Sequence, residues 1–140
     1  MKLRLSILIA ALGFLTLLQT ARPLQAHHSF AAEFDADKPV TLEGTIVEMK
    51  WINPHSWLTI AVKSIDGKTD GKIENWEVEF GLPASLYRRG WRKKDLPAGE
   101  AVTITGWRAK DGTNTANART VKLSDGRGLF AGSSTSGQPK

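Results

Sequence analysis

The stretch that decides the fold is Val40-Thr41-Leu42-Glu43-Gly44-Thr45-Ile46-Val47-Glu48-Met49-Lys50-Trp51-Ile52-Asn53-Pro54-His55-Ser56-Trp57-Leu58-Thr59-Ile60-Ala61-Val62-Lys63. Val40, Leu42 and Ile46 share one phase of a two-residue period, and Val47, Met49 and Trp51 take the other, with Gly44 between. A phase change beside a glycine predicts one long strand with a bulge or strong bend. Asn53-Pro54 ends that strand. From Ser56 onward Leu58, Ile60 and Val62 alternate with Thr59, Ala61 and Lys63, so a second strand returns along the first as a hairpin.

Downstream, Asp66-Gly67 and Asp70-Gly71 mark a polar loop. Trp76, Val78 and Phe80 then alternate with Glu77 and Glu79 in a third strand whose acidic face is expected to be wet. Pro83 to Arg89 suits a short helix with proline in its first turn and Gly90 as its stop, so that Leu82, Leu86 and Trp91 cover one end of the sheet. A turn at Leu96-Pro97-Ala98-Gly99 leads to a fourth strand, Ala101 to Arg108, with Val102, Ile104 and Gly106 facing inward. Asp111 to Asn117 reads as a polar loop and Arg119 to Leu123 as a short fifth strand. Residues 128–140 are rich in Gly and Ser and read as a disordered tail. The order predicts an all-β fold: a small five-stranded OB-like barrel over residues 40–127, with one short helix between strands three and four. An N-terminal arm, residues 27–39, would be pinned by Phe30 and Phe34. An open sheet or small sandwich is the alternative.

Upstream of the arm, residues 1–26 have the layout of a secretory signal peptide: Lys2 and Arg4, an apolar run from Leu5 to Leu18, and a polar end at Ala26. The run is shorter than the roughly 20 residues that span a bilayer. Cleavage after Ala26 would take 26 of 140 residues and leave 114, the size of one small domain. Lys2, Arg4 and Arg22 would leave with it, so 16 basic and 14 acidic residues would give +2 in place of +5. That mild charge, in a periplasmic or secreted chain, argues against nucleic acid as a partner. No transmembrane segment is expected after cleavage. The absence of cysteine excludes disulfides and thiolate chemistry.

The same cleavage would expose His27 as the N-terminal residue, followed by His28; the third histidine of the chain is His55. An N-terminal amine beside an imidazole offers two nitrogens from one residue, and imidazole is the commonest transition-metal ligand near neutral pH. His27, His28 and His55 are therefore candidate ligands in a nitrogen-rich site of the histidine-brace type that suits copper, with zinc as the lesser choice. The bland alternative is a solvated terminus and a His55 that caps a hairpin turn.

Trp51, Asn53 and Trp57 border the His55 turn, and Arg88-Arg89-Gly90-Trp91-Arg92-Lys93-Lys94 is the one basic cluster. Trp51, Asn53, Trp57, Arg88, Arg89 and Trp91 thus form a second candidate set, for an anionic envelope component or glycan, or for another exported protein. Cations at a helix C-terminus also have a purely structural reading. No nucleophile elbow, phosphate loop or His-Glu-x-x-His spacing occurs, so a binding module or a structural accessory of an envelope complex is expected rather than an enzyme.

At His27-His28-Ser29-Phe30-Ala31-Ala32-Glu33-Phe34-Asp35, Trp51-Ile52-Asn53-Pro54-His55-Ser56-Trp57 and Leu86-Tyr87-Arg88-Arg89-Gly90-Trp91, the chain resembles a bacterial family of small exported proteins classed as a domain of unknown function. That resemblance spans nearly the whole chain after the signal and implies a family without implying an activity.

Overall fold

A computed structural model describes residues 30–132. The expected signal, His27, His28 and all of the expected tail beyond residue 132 lie outside the described residues. A four-residue helical turn, α1 (Phe30–Glu33), leads into the long strand β1 (Phe34–Lys50). Then come β2 (Trp57–Ile65), β3 (Glu74–Glu79), the helix α2 (Pro83–Arg88) and a 3-10 turn (Lys93–Asp95). The chain closes with β4 (Ala101–Ala109), β5 (Thr115–Leu123) and β6 (Gly128–Phe130).

β1 pairs antiparallel with both β2 and β4, β2 with β3, and β4 with β5. A parallel pairing of β3 with β5 then closes the five strands into a ring. The fold is all-β, with the short helix between the third and fourth strands, as the sequence predicts for an OB-like arrangement. Inside the ring Leu42, Leu58, Ile60, Trp76, Val78, Phe80 and Ile104 are almost wholly buried. They arrive there because each strand's apolar residues lie two apart and so share a face.

The bend expected in β1 is real and has two parts. Its register against β2 shifts between Glu43 and Gly44 and again between Ile46 and Glu48. At the first shift the backbones come so close that a Cβ on Gly44 would lie 2.5 Å from the carbonyl oxygen of Ala61. At the second, Val47 is the extra residue; it is 46% exposed rather than packed with Met49 and Trp51. The change of phase is therefore made at Val47, and Gly44 serves the close approach.

Three boundaries differ from the sequence reading, each for a tertiary reason. Half of the expected arm belongs to β1: Phe34 is buried and stacks on Phe30 at 5.7 Å, while Phe30 meets the edge of Trp107 at 5.2 Å. β5 begins at Thr115, not Arg119, because Thr115-Ala116-Asn117 pairs with β3 on one side while Ala116 and Asn117 pair with β4 on the other. The segment from Gly128, expected to be a disordered tail, opens with β6 along β5, and Ala131 is buried. Trp91 Nε1 donates to the carbonyl of Phe130 (3.0 Å) and Arg89 Nη1 to that of Gly132 (2.5 Å), which fixes this segment in place.

The helix α2 follows its sequence cues. Pro83 occupies its first turn, where a missing N–H costs nothing, and Gly90 leaves it with a φ of 99°. Leu86 and Trp91 cover the end of the ring as expected, whereas Leu82 points outward and is exposed.

Gly106 is the tightest of the glycine positions among the described residues. A Cβ there would lie 2.0 Å from the carbonyl oxygen of Asn117, where β5 slips by one residue against β4. Gly106→Ala is expected to lower stability by about 3 kcal/mol in urea unfolding, since overpacking against backbone cannot relax cheaply. Gly128→Ala, which meets nothing within 4 Å, should stay within about 0.5 kcal/mol of the parent. Equal, small effects would contradict this account of the β4 and β5 approach.

Candidate functional site around His55

His55 sits in the turn between β1 and β2, directly after Asn53-Pro54, whose peptide bond is cis. The backbone beyond it is clamped to the end of β3: Ser56 N–H donates to Gly81 O (3.2 Å), and Phe80 N–H donates to Ser56 O (2.8 Å). This clamp sets the His55 side chain against Glu79, and Nδ1 of the imidazole contacts Oε1 of the carboxylate. The other carboxylate oxygen of Glu79 accepts from Asn117 Nδ2 at 3.2 Å. Glu79 and Asn117 are register partners in the parallel pair, so the closure of the ring itself builds this His-Glu-Asn row.

Glu79 overturns the expectation of a wet acidic face on β3. Its side chain is 5% exposed, against 26% for His55, while Glu77 on the same face is exposed and accepts from Thr59 Oγ1 at 2.8 Å. Strand alternation alone would treat the two alike. The difference comes from the chain passing over the end of β3: the 53–57 turn covers Glu79 but not Glu77. A buried carboxylate is costly unless it is paired and hydrogen-bonded. His55 is the only ionisable group among the described residues that pairs with Glu79, and its contact, together with the Asn117 hydrogen bond, is what offsets the burial.

The arrangement also orients the ring. With Nδ1–H donating to a fixed carboxylate, a neutral imidazole carries its lone pair on Nε2, directed away from Glu79. Histidines that ligate metals are commonly held in this way by a carboxylate behind them. Among the described residues no group of three His, Cys, Asp or Glu side chains forms a metal cluster, and His27 and His28 lie outside those residues. Asp35, at the start of β1, is engaged instead with the backbone N–H of Asp37 and with Lys38. These contacts, the Asp37 amide foremost, hold its carboxyl below the ordinary value.

The second candidate set is only partly brought together. Trp51 is half-buried and packs against Tyr87 of α2 at 5.4 Å, and Trp57 is half-buried at the start of β2. Asn53 and Arg88 are exposed. Trp91 does not belong to a surface: it is fully buried, bonded to Phe130 and edge-on to Phe80 at 6.1 Å. Arg89 lies over the Phe130 ring at 4.5 Å and helps to hold β6 in place, so its guanidinium is already committed. Arg92 is likewise engaged, donating to the carbonyls of Tyr87 and Trp91. What remains beside the His55 turn is an apolar rim of Trp51, Ile52, Leu82 and Tyr87, the last three exposed.

Because His55 offsets the burial of Glu79, the two should be energetically coupled. A double-mutant cycle of His55→Ala and Glu79→Gln in urea unfolding is expected to give a coupling of about 1 to 3 kcal/mol, with the double variant more stable than His55→Ala alone. Additive effects would show that the contact contributes nothing.

No helix among the described residues is long and apolar enough to cross a membrane. No curated protein and no solved structure matches the chain. Across residues 15–118, which take in the His55 turn, Glu79 and Asn117, it matches a family described as a family of unknown function (DUF6152). The chain belongs to that family.

Proposed function

We propose that this is an exported single-domain protein that binds a copper ion, with zinc as the lesser choice, through His55 together with His27 and His28 at a terminus exposed by cleavage after Ala26. The observation that supports the reading is the buried Glu79 carboxylate behind His55, itself held by Asn117. A carboxylate in that position fixes the tautomer of a ligating imidazole, raises its basicity and offsets part of the charge of a bound cation. His27 would add its amine and its ring, a nitrogen-rich set that suits Cu(II). The protein acts in this reading as a carrier or binding module of the periplasm or the exterior, with no catalytic step assigned.

The test is titration of the cleaved protein with Cu(II), followed by electron spin resonance. Nitrogen coupling should appear, and it should change when His27 is replaced or when one extra residue precedes it. Glu79→Gln should weaken Cu(II) binding by about 10- to 100-fold, the range found when a carboxylate behind a ligand is removed. A weak signal that is the same in the parent and all three variants would sink the proposal.

A second reading rests on the apolar rim of half-buried Trp51 and exposed Ile52, Leu82 and Tyr87, with Arg88 nearby: a metal-free surface, including Asn53 and Trp57, for an anionic envelope component, a glycan or another exported protein. Arg89 and Trp91 drop out of it, since both are used within the fold.

A further inference from the structure

At the other end of β2 and β3 the ring opens into a cleft. Five residue steps along β3 lead from Glu74 at its lip to Glu79, about 17 Å at the rise of a strand, so this mouth is distinct from the His55 site. The cleft encloses about 390 Å³ between the 66–73 loop and the inner faces of β2, β3 and β4. That is within the size range of small-molecule sites, and ring mouths are a common place for them.

Its lining is of two kinds. Val62, Ile65 and Trp76 give an apolar wall. Lys63, Lys68, Lys72 and Arg108 bring four cations, against three carboxylates on Asp66, Asp70 and Glu74. The carboxylates are already engaged by neutral donors: Asp66 by the N–H of Thr41 (2.7 Å), Asp70 by that of Lys72 (2.9 Å) and Glu74 by Asn114 Nδ2 (3.1 Å). None of the four cations forms an ion pair among the described residues. Arg108 carries the argument furthest. It shares the inward face of β4 with Val102 and Ile104, and its guanidinium lies 5.0 Å from the centre of the Trp76 ring, over its face. An inward-facing, half-buried arginine with no carboxylate partner has its planar donor fork available for an oxyanion. Beneath it, the indole N–H of Trp76 is buried without a hydrogen-bond acceptor, although buried donors are nearly always satisfied.

We propose that this mouth binds a small organic anion, with its acidic head on Arg108 and the lysine rim and a flat or apolar body against Trp76, Val62 and Ile65. The head is a phosphate or a carboxylate, the chemistry that a guanidinium fork recognises. The cleft binds it independently of any metal at His55.

The experiment uses the metal-free protein and follows the five indole N–H resonances by nitrogen-proton correlation spectra, with Trp76 assigned through Trp76→Phe. Phenyl phosphate and benzoate are the two probes, and phenol and inorganic phosphate are the controls for body and head. The Trp76 resonance should move saturably with one or both probes and less with either control. Arg108→Gln should raise the half-saturation concentration by about tenfold or more, the loss expected for a charge-assisted pair, and Arg108→Lys should recover only part of it. The exposed double variant Lys68→Gln/Lys72→Gln, which removes no core packing, should weaken binding by a few-fold even if both Arg108 variants fold poorly. The proposal is overturned if no probe moves Trp76 saturably, or if Lys68→Gln/Lys72→Gln and any folded Arg108 variant bind as the parent does.

Discussion

The parallel pairing of β3 with β5 is the constraint on which the rest depends. Glu77, Val78 and Glu79 lie beside Thr115, Ala116 and Asn117, and without that contact the strands would form an open sheet with β3 as a bare edge and β5 covered only where β6 runs. Closure needs β4 and β5 to approach closely at Gly106, and it lets Ala116 and Ala118 face a core filled by Trp76, Phe80 and Ile104. Small residues on β5 are the complement of large ones on β3. The same closure buries Glu79 and gives it Asn117 as a partner, so the ring and the polar row beside His55 form together.

That coupling explains why the fold was more legible in the sequence than the site. Leu58, Ile60 and Val62, or Trp76, Val78 and Phe80, announce their strands by alternation, and Pro83 and Gly90 bracket the helix. Thr115-Ala116-Asn117-Ala118 announces nothing, because its residues are small or polar and hold a strand only by pairing on both sides. β6 is invisible for a similar reason: Gly128-Leu129-Phe130 and the residues just after it are held by Trp91 and Arg89, which lie 39 and 43 positions before the carbonyls they bond. By sequence Trp91 and Arg89 read as surface contacts in a basic cluster, whereas the partner they serve is a later part of the same chain.

His55 was legible as a candidate from its rarity and its place after Asn53-Pro54. Glu79 was not, since alternation assigns it the same face as Glu77. Burial at that position comes from a turn passing over the strand end, a fact of topology that no local period carries. The two mouths of the ring also differ in chemistry. One buries a carboxylate under a histidine, an arrangement suited to a cation, and the other presents an inward arginine over an indole, suited to an anion.

Whether Glu79 orients His55 as we propose is read from the two imidazole nitrogen shifts of His55, followed by long-range nitrogen-proton correlation in the metal-free protein and after Zn(II) is added at mildly alkaline pH. The expected result is a ring whose Nδ1 carries the proton shared with Glu79, with Nε2 as the nitrogen that shifts when Zn(II) is added. A His55 ring protonated on Nε2, or one whose two nitrogens ignore the metal, would contradict it.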